Sequence, residues 1–349
     1  MTDPKAQSLV YLYQAIFKDL LDDPSVTELA INKPYEIFYE KRGRWHSMEA
    51  PHVTMEMLTT FTTNVAVFNS QSFEAKTAPI LSAVLPGGER LQSVAPPACP
   101  DDRMSITIRR PSFDVRLLKG YEESGFFAEL KMPGEKSPEA QELSELAKAF
   151  NDREVMMNTP TEKLQEMRSL FLKRAVKMQK NIVVAGETGS GKTTFMKALM
   201  QEIPLEERII TIEDVPELMY GLPNHKNQVN LLYPSEGKGS THITAETLMK
   251  SCLRMKPDRI LIAELRGGET FDWVNACLSG HGGSITSCHA GSCKAVFDYL
   301  ALKILQSEAG SKLPNAVIKE LLGLVIDVVI HMHNVHGHRY ITEMLYNER

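Results

Sequence analysis

The sequence predicts an α/β protein: a parallel-sheet C-terminal domain preceded by a smaller α+β N-terminal domain. Three observations point there. After Asn181, short β-branched runs without strict polar alternation (NIVVAG, RIITIED, RILIAEL, GSITSCHA) are separated by helical segments, the pattern of parallel strands covered on both faces. Up to Ser112, alternating runs closed by proline or turn residues read as strands set beside helices. Between them lies a charged, turn-rich stretch, and 349 residues suffice for two separate cores. The expected organisation is an N-terminal domain over 1–130, a linker over 131–158 and a C-terminal domain over 159–349.

In chain order, Leu9, Leu12, Ile16 and Leu20 recur at helical spacing until DDPS stops the helix. VTELAINKP and YEIFYEKRGRWHSM read as paired strands, with turns at Asn32–Pro34 and Arg42–Arg44. MEMLTTFTTNVAVF suits a helix, and ERLQSVAPP and RMSITIRRPS read as further strands. The linker is charged and loop-like, although SPEAQELSELAKAF within it has the composition of a helix. A capping box then predicts a helix start at Thr159, with Pro160 in the first turn and Glu162 three residues on. Leu164, Met167, Leu170 and Phe171 form its apolar stripe, facing a sheet. MKSCLRMK and DWVNACLSG supply later helices, and IDVVIHMHNVHGHRYITEMLY reads as two strands around a turn near Asn334–Gly337.

A net charge of −5 argues against a whole-protein electrostatic grip on nucleic acid or anionic lipid. The five cysteines are odd in number and scattered, which suits free thiols in a reducing compartment. MTDPKAQSL lacks the basic and apolar regions of a signal peptide, and LLGLVIDVVIHM is interrupted by Asp327 and too short to span a bilayer. Cys252 and Cys277 lie on helical segments and read as packed thiols, and most of the 17 methionines read as core filling.

GETGSGKT fits the phosphate-loop pattern completely, between the strand NIVVA and the helix former TFMKALMQEI. Gly186, Glu187, Thr188, Gly189, Ser190 and Gly191 would wrap phosphates with backbone N–H groups, helped by the helix N-terminus that carries Thr193 and Thr194. Lys192 would reach the β- and γ-phosphate oxygens, and Thr193 would hold Mg²⁺. The strand RILIAEL ends in Glu264, where a carboxylate can bind a Mg²⁺-bound water or polarise the attacking one. A phosphate loop alone leaves kinase, GTPase and motor open, and no N-K-x-D guanine-reading loop of a GTPase is present.

GHGGSITSCHAGSC offers His281, Cys288, His289 and Cys293, a tempting zinc set. The two histidines flank a buried strand at opposite ends, and alternation turns Cys288 away from His289. A phosphate-sensing His289 at the ligand-binding edge of the sheet, with His281 second to it, is the stronger expectation. His331, His333, His336 and His338 read as a surface hairpin, the first two sharing a face.

Taken together, AGETGSGKTT, TIEDVPEL, ILIAELRGGET and GHGGSITSCHA resemble, in the same order, the Walker A, Asp box, atypical Walker B and His box of the secretion or traffic ATPases. DPSVTELAINKP and GERLQSVAPP…SITIRRPS resemble the type IV secretion branch, the VirB-type traffic ATPases. Nearly the whole chain is covered, and neither the four-cysteine zinc element nor the longer N-terminal region of the type II branch is visible. The resemblance implies a RecA-like P-loop NTPase C-terminal domain and a ring-shaped homohexamer that hydrolyses ATP with Mg²⁺. It implies that Glu217 is the catalytic base, beside Glu213 and Asp214, and that Glu264 has the Walker B role beside Arg266. The base assignment stays open between Glu217 and Glu264. Arg254 matches an arginine that reaches phosphate across a subunit interface. Arg90 and Arg109 match N-domain arginines that close over nucleotide, with Arg110 an alternative to Arg109. His281 and His289 are the His-box positions.

The expected partners are further copies of the chain and the other ATPase and scaffold components of a secretion system. The expected location is the cytoplasmic face of the inner membrane, reached through those partners. Domain swapping between neighbours is compatible with the long linker. A nucleotide-gated scaffold is the competing reading; a DNA-translocating motor is disfavoured by the acidic balance, and no stable nucleic-acid binding is expected.

Overall fold

The computed structural model describes residues 4–74, 77–112, 115–130, 134–234 and 243–348; residues 131–133, at the head of the expected linker, lie outside them. The N-terminal part opens with helix α1 (Pro4–Phe17) and strands β1 (Val26–Ile31), β2 (Glu36–Lys41) and β3 (Arg44–Glu49). Helix α2 (Met55–Phe68) follows, with the Thr54 hydroxyl accepting the Met57 N–H as its cap, and then β4 (Ile80–Val84), β5 (Arg90–Val94) and β6 (Ser105–Arg109). The strands form one antiparallel sheet in the order β3-β2-β1-β6-β5-β4. Leu9 and Ile16 of α1 and Leu58, Phe61 and Val65 of α2 pack with Leu29, Ile31, Ile106 and Ile108 of the sheet. The edge strand β4 was not anticipated from the sequence.

The expected linker is largely helical. After the short exposed helix α3 (Leu118–Glu123), helix α4 (Pro138–Asn151) is capped by Ser137, whose hydroxyl accepts the Ala140 N–H at 3.2 Å. Leu143, Leu146 and Ala147 of α4 join the core that holds Phe171 and the strand residues Ile182 and Val184. A second helix, α5 (Arg153–Asn158), is capped by Asp152. The capping box expected at Thr159 is therefore a correction: Thr159 closes α5, and α6 (Thr161–Lys177) starts two residues later, after Pro160. Proline drives the residue before it into extended backbone, and Thr159 sits at φ −102°, ψ 134°. Leu170 also departs from the expected stripe: it is exposed, and the buried face is Leu164, Phe171, Ala175 and Val176.

The C-terminal part continues with β7 (Ile182–Gly186), α7 (Lys192–Met200), β8 (Ile209–Glu213), β9 (Gln228–Leu232), α8 (Ala245–Cys252) and β10 (Arg259–Ile262). It ends with α9 (Glu269–Leu278), β11 (Ile285–Cys288), α10 (Cys293–Ile304), α11 (Asn315–Val325), β12 (Val328–Val335) and β13 (His338–Tyr346). Strands β10-β8-β9 are parallel, and so are β11-β7-β12, with β13 antiparallel on the outer edge. The two sheets meet where β10 lies beside β11: the Leu265 N–H donates to the Ser287 carbonyl at 2.9 Å, and Ser287 Oγ donates to the Ala263 carbonyl at 2.7 Å. The C-terminal ends of β7, β8, β10 and β11 thus open on one side, the side on which parallel α/β sheets bind ligands. No helix among the described residues is long and apolar enough to cross a membrane.

The two parts meet on a polar rivet. Arg208, fully buried at the start of β8, donates to the side chains of Asn32 and Asn227, to Thr107 Oγ1 and to the Met255 carbonyl. Arg103 reaches Asn230 at 2.9 Å, the Leu232 N–H bonds to the Ala98 carbonyl, and Lys256 pairs with Glu40 at 3.2 Å. Burial pulls the Arg208 guanidinium down to about 10, which still leaves it charged at neutral pH. The N-terminal sheet therefore lies alongside β9.

Candidate functional site

The phosphate loop is shaped by what it must avoid. Gly186 ends β7 at φ +151°, and a Cβ there would fall 2.4 Å from the Met332 carbonyl oxygen. Gly191, at φ +94°, turns the chain into α7. Ser190 Oγ donates to the Glu187 carbonyl at 2.8 Å. Lys192 Nζ donates to the carbonyls of Gly186 (2.8 Å) and Glu187 (2.9 Å), and burial lowers its pKa. Thr188, Gly189, Gly191, Lys192, Thr193 and Thr194 line a cleft of about 490 Å³.

The opposite wall comes from the ends of β8, β10 and β11. Glu213 is buried and accepts the backbone N–H groups of Glu217 (2.7 Å), Leu218 (2.6 Å) and Met219 (3.0 Å), together with Thr211 Oγ1. Burial raises its pKa, while the backbone donors pull the other way. Glu213 thereby pins the loop that presents the exposed Glu217 to the cleft; it is a positioning residue and does not itself line the cleft. Asp214 pairs with Arg266, whose Nε lies 3.6 Å from Glu264 Oε2. Glu264 Oε1 is 3.0 Å from His289 Nε2, close enough for ion pairing with a protonated imidazole, yet the orientation makes no hydrogen bond and that buried oxygen is left without one. Such an orphaned acceptor fits a Mg²⁺-bound water, so the donor set suits the metal.

Glu217, Glu264, His289 and the phosphate loop are thus brought together, and Arg90, Arg109, Arg254 and His281 are not. Arg90 and Arg109 line a separate cleft of about 550 Å³ with Glu28, Glu40 and Lys256. Arg109 is exposed, 3.6 Å from Glu28. Arg110 donates to the carbonyls of Leu20, Leu21, Asp23 and Val26, so its guanidinium is held by backbone, whereas Arg109 pairs with Glu28 from an exposed position. Arg254 is exposed beyond the end of α8. His281 precedes β11, at the far end of that strand from His289, and its Nδ1 is buried without a partner. Arg339 and Ser287 line the phosphate cleft and were not anticipated; the HGHRY stretch carries no motif that would have marked Arg339.

The second histidine cluster also needs correcting. His336 and His338 are exposed, but His331 is buried, its Nδ1 on Thr342 Oγ1. The register shifts between His331 and Met332, and His333 lies against the phosphate loop, Nδ1 3.2 Å from Glu187 Oε1. Cys288 is buried and its thiol pushed up to about 12 by burial; Cys293 Sγ points to the Val329 carbonyl. Among the described residues, no three His, Cys, Asp or Glu side chains converge as a metal cluster.

Burial raises the Glu28 carboxyl from its ordinary 4.5 to about 7, with Arg109 pulling in the opposite direction. A raised carboxyl binds its proton more tightly in the folded state, so its contribution to stability is full below pH 4.5 and is lost as pH rises through about 7. Denaturant unfolding across that window is expected to show a decline in the wild type that Glu28→Gln flattens. Parallel declines in both proteins would contradict this.

A family model described as type II/IV secretion system protein matches residues 146–321. The chain is 50% identical over 333 residues to the type IV secretion system protein VirB11 of Brucella abortus biovar 1 (strain 9-941), covering 94% of this chain and 87% of that protein. It is 39% identical to the type IV secretion system protein VirB11 of Bartonella quintana (strain Toulouse), covering 94% and 90%. Among solved structures, it is similar to the VirB11 ATPase of the Brucella suis type IV secretion system in complex with sulphate, at TM-score 0.85 and 47% identity over 98% of this chain and 97% of that one.

Proposed function

The chain belongs to the VirB11 ATPases of type IV secretion, and from that premise we propose that it works as a homohexamer in which each ATP site is completed by arginines from a neighbouring subunit. The observation that carries this is the separation just described. The phosphate loop, Glu217, Glu264 and His289 share one cleft, whereas Arg90, Arg109 and Arg254 lie outside it in the same chain. Exposed apolar side chains at Leu117, Leu118, Phe126 and Leu130, 66–81% accessible, favour contacts with further copies. The sulphate of the related Brucella suis ATPase is consistent with an anion site in this family.

In this reading the loop's backbone N–H groups, Gly186 to Thr194, and Lys192 hold the phosphates of ATP. Thr193 and Glu264 are the residues that would hold Mg²⁺, Glu264 through a water, and the metal would supply positive charge against the negative charge of the phosphates. Glu217 accepts a proton from the attacking water, and Glu213 keeps it aimed through three backbone bonds. His289 reports nucleotide state through its contact with Glu264. The arriving guanidinium groups stabilise charge only in the closed ring, which couples hydrolysis to the subunit motion that drives transfer.

We place the N-terminal domain over 1–130 and let the ATPase core include α4, so that the connection between them is shorter than 131–158. The ring acts at the cytoplasmic face of the inner membrane, through the other components of the secretion system.

Mixing tests the shared site. An Arg90→Ala, Arg109→Ala double variant and Lys192→Ala are each expected to be nearly inactive. Mixed rings regain about one quarter of wild-type turnover if subunits assort at random, because an intact loop then meets intact arginines. No recovery in rings shown by mass to be mixed hexamers would sink the shared-site reading.

A further inference from the structure

We propose that Arg339 is a phosphate-contacting residue, a second cation supplied by the chain's own β12–β13 hairpin at the apex of the phosphate loop; this rests on the assignment of that loop to ATP. The hairpin turns at His336 and Gly337, both at positive φ, and the Gly337 N–H donates to Asn334 Oδ1 at 2.9 Å. Asn334 and Arg339 are register partners across the turn. Both reach the same atom of the loop: Asn334 Nδ2 donates to the Gly189 carbonyl at 3.1 Å, and Arg339 Nε donates to it at 3.2 Å. A Cβ on Gly191 would fall 3.1 Å from Arg339 Cδ, so the side chain lies across the mouth of the loop. β12 pairs with β7 up to Met332 opposite Gly186, which ties the hairpin to the loop's root.

The charge inventory of the cleft makes this placement functional. Four side chains that can be cationic line it: Lys192, Arg266, His289 and Arg339. Arg266 is engaged with Asp214 and Glu264, and His289 with Glu264. Arg339 forms no ion pair among the described residues, and its one hydrogen bond there uses Nε. The terminal N–H groups, which match phosphate oxygens in a planar fork, remain for a ligand. Holding the loop does not require a guanidinium, since Asn334 already bonds the same carbonyl without charge. An arginine there adds positive potential where ATP places most of its negative charge.

The test compares ATP–Mg²⁺ binding and steady-state phosphate release for wild type, Arg339→Ala, Arg339→Lys and Asn334→Ala, with melting midpoints as a folding check. Arg339→Ala is expected to weaken ATP–Mg²⁺ binding about tenfold. Arg339→Lys restores part of that loss because the charge returns without the fork. Asn334→Ala, which removes a bond to the same carbonyl and no charge, shifts binding by less than about twofold. Wild-type affinity in Arg339→Ala overturns the proposal, and so does an equal loss in Asn334→Ala, which would make the hairpin only a brace for the loop. Should Arg339→Ala fail to fold, wild-type affinity in Arg339→Gln overturns it equally. Failure of the wild type to bind ATP–Mg²⁺, or a Lys192→Ala variant that binds normally, would instead sink the loop assignment itself.

Discussion

Glu217→Gln is expected to lower kcat about a hundredfold or more while ATP binding persists, and Lys192→Ala to lower kcat/KM at least as much while also weakening binding. The two losses differ because the two groups act at different points. Lys192 sits at the root of the loop, bonded to the Gly186 and Glu187 carbonyls, and in the proposed cycle its ammonium would meet phosphate in both ground and transition state. Glu217 faces the cleft from a loop pinned by Glu213, so an isosteric amide keeps the shape and removes only the proton acceptor. Steady-state phosphate release with a parallel binding titration separates the effects. Unchanged release in both variants would favour a nucleotide-gated scaffold over an enzyme cycle. Glu264→Gln completes the set: full turnover in Glu217→Gln with loss in Glu264→Gln would move the base role to Glu264.

Arg208→Leu is expected to cost about 3 kcal/mol or more of stability and to loosen the N-terminal sheet from β9. The guanidinium is fully buried, and its removal takes the donor from Asn32 Oδ1, Thr107 Oγ1 and the Met255 carbonyl in a buried interface, while Asn227 Oδ1 keeps its bond from Asn32 Nδ2. Leucine, shorter and apolar, satisfies none of them. Arg208→Lys, which keeps the charge but cannot reach all four, should fall between. Thermal unfolding gives the stability, and amide exchange at Asn230 to Leu232, beside the Arg103 and Ala98 contacts, gives the docking. Normal exchange there, with a normal midpoint, would show that the rivet is dispensable.

Much of the site was legible because its chemistry is local in sequence. A phosphate loop needs closely spaced glycines, a lysine and a hydroxyl between a strand and a helix, and all of these lie within Gly186 to Thr194. Glu264 could be read from the end of an apolar strand and His289 from the end of another, since strand ends in a parallel sheet converge. Glu217 came from the resemblance, and Glu213, read there as its neighbour, proved to be the residue that holds it in place. The helix boundaries near Thr159 were misread because the capping pattern resembles the end of one helix followed by proline as much as a beginning. The stretch 131–158 looked like a linker because α4 is amphipathic and charged, and its Leu143 and Ala147 gain their meaning only from Phe171 across the packing.

By itself, the sequence determined the α/β class, the alternation of strands and helices after Asn181, the phosphate loop, and the membership that four ordered motifs confer. These depend on periodicity and short-range spacing, which the backbone enforces without reference to distant residues. Only the tertiary structure decided which charges meet. It brought Arg339 across 150 positions of sequence to Gly189, drew Arg208 into a rivet with Asn32, and left Arg90 and Arg109 in a cleft of their own beside Glu28. Side-chain chemistry fixes what such groups can do. Whether they meet depends on sheet register and docking, for which no local pattern stands.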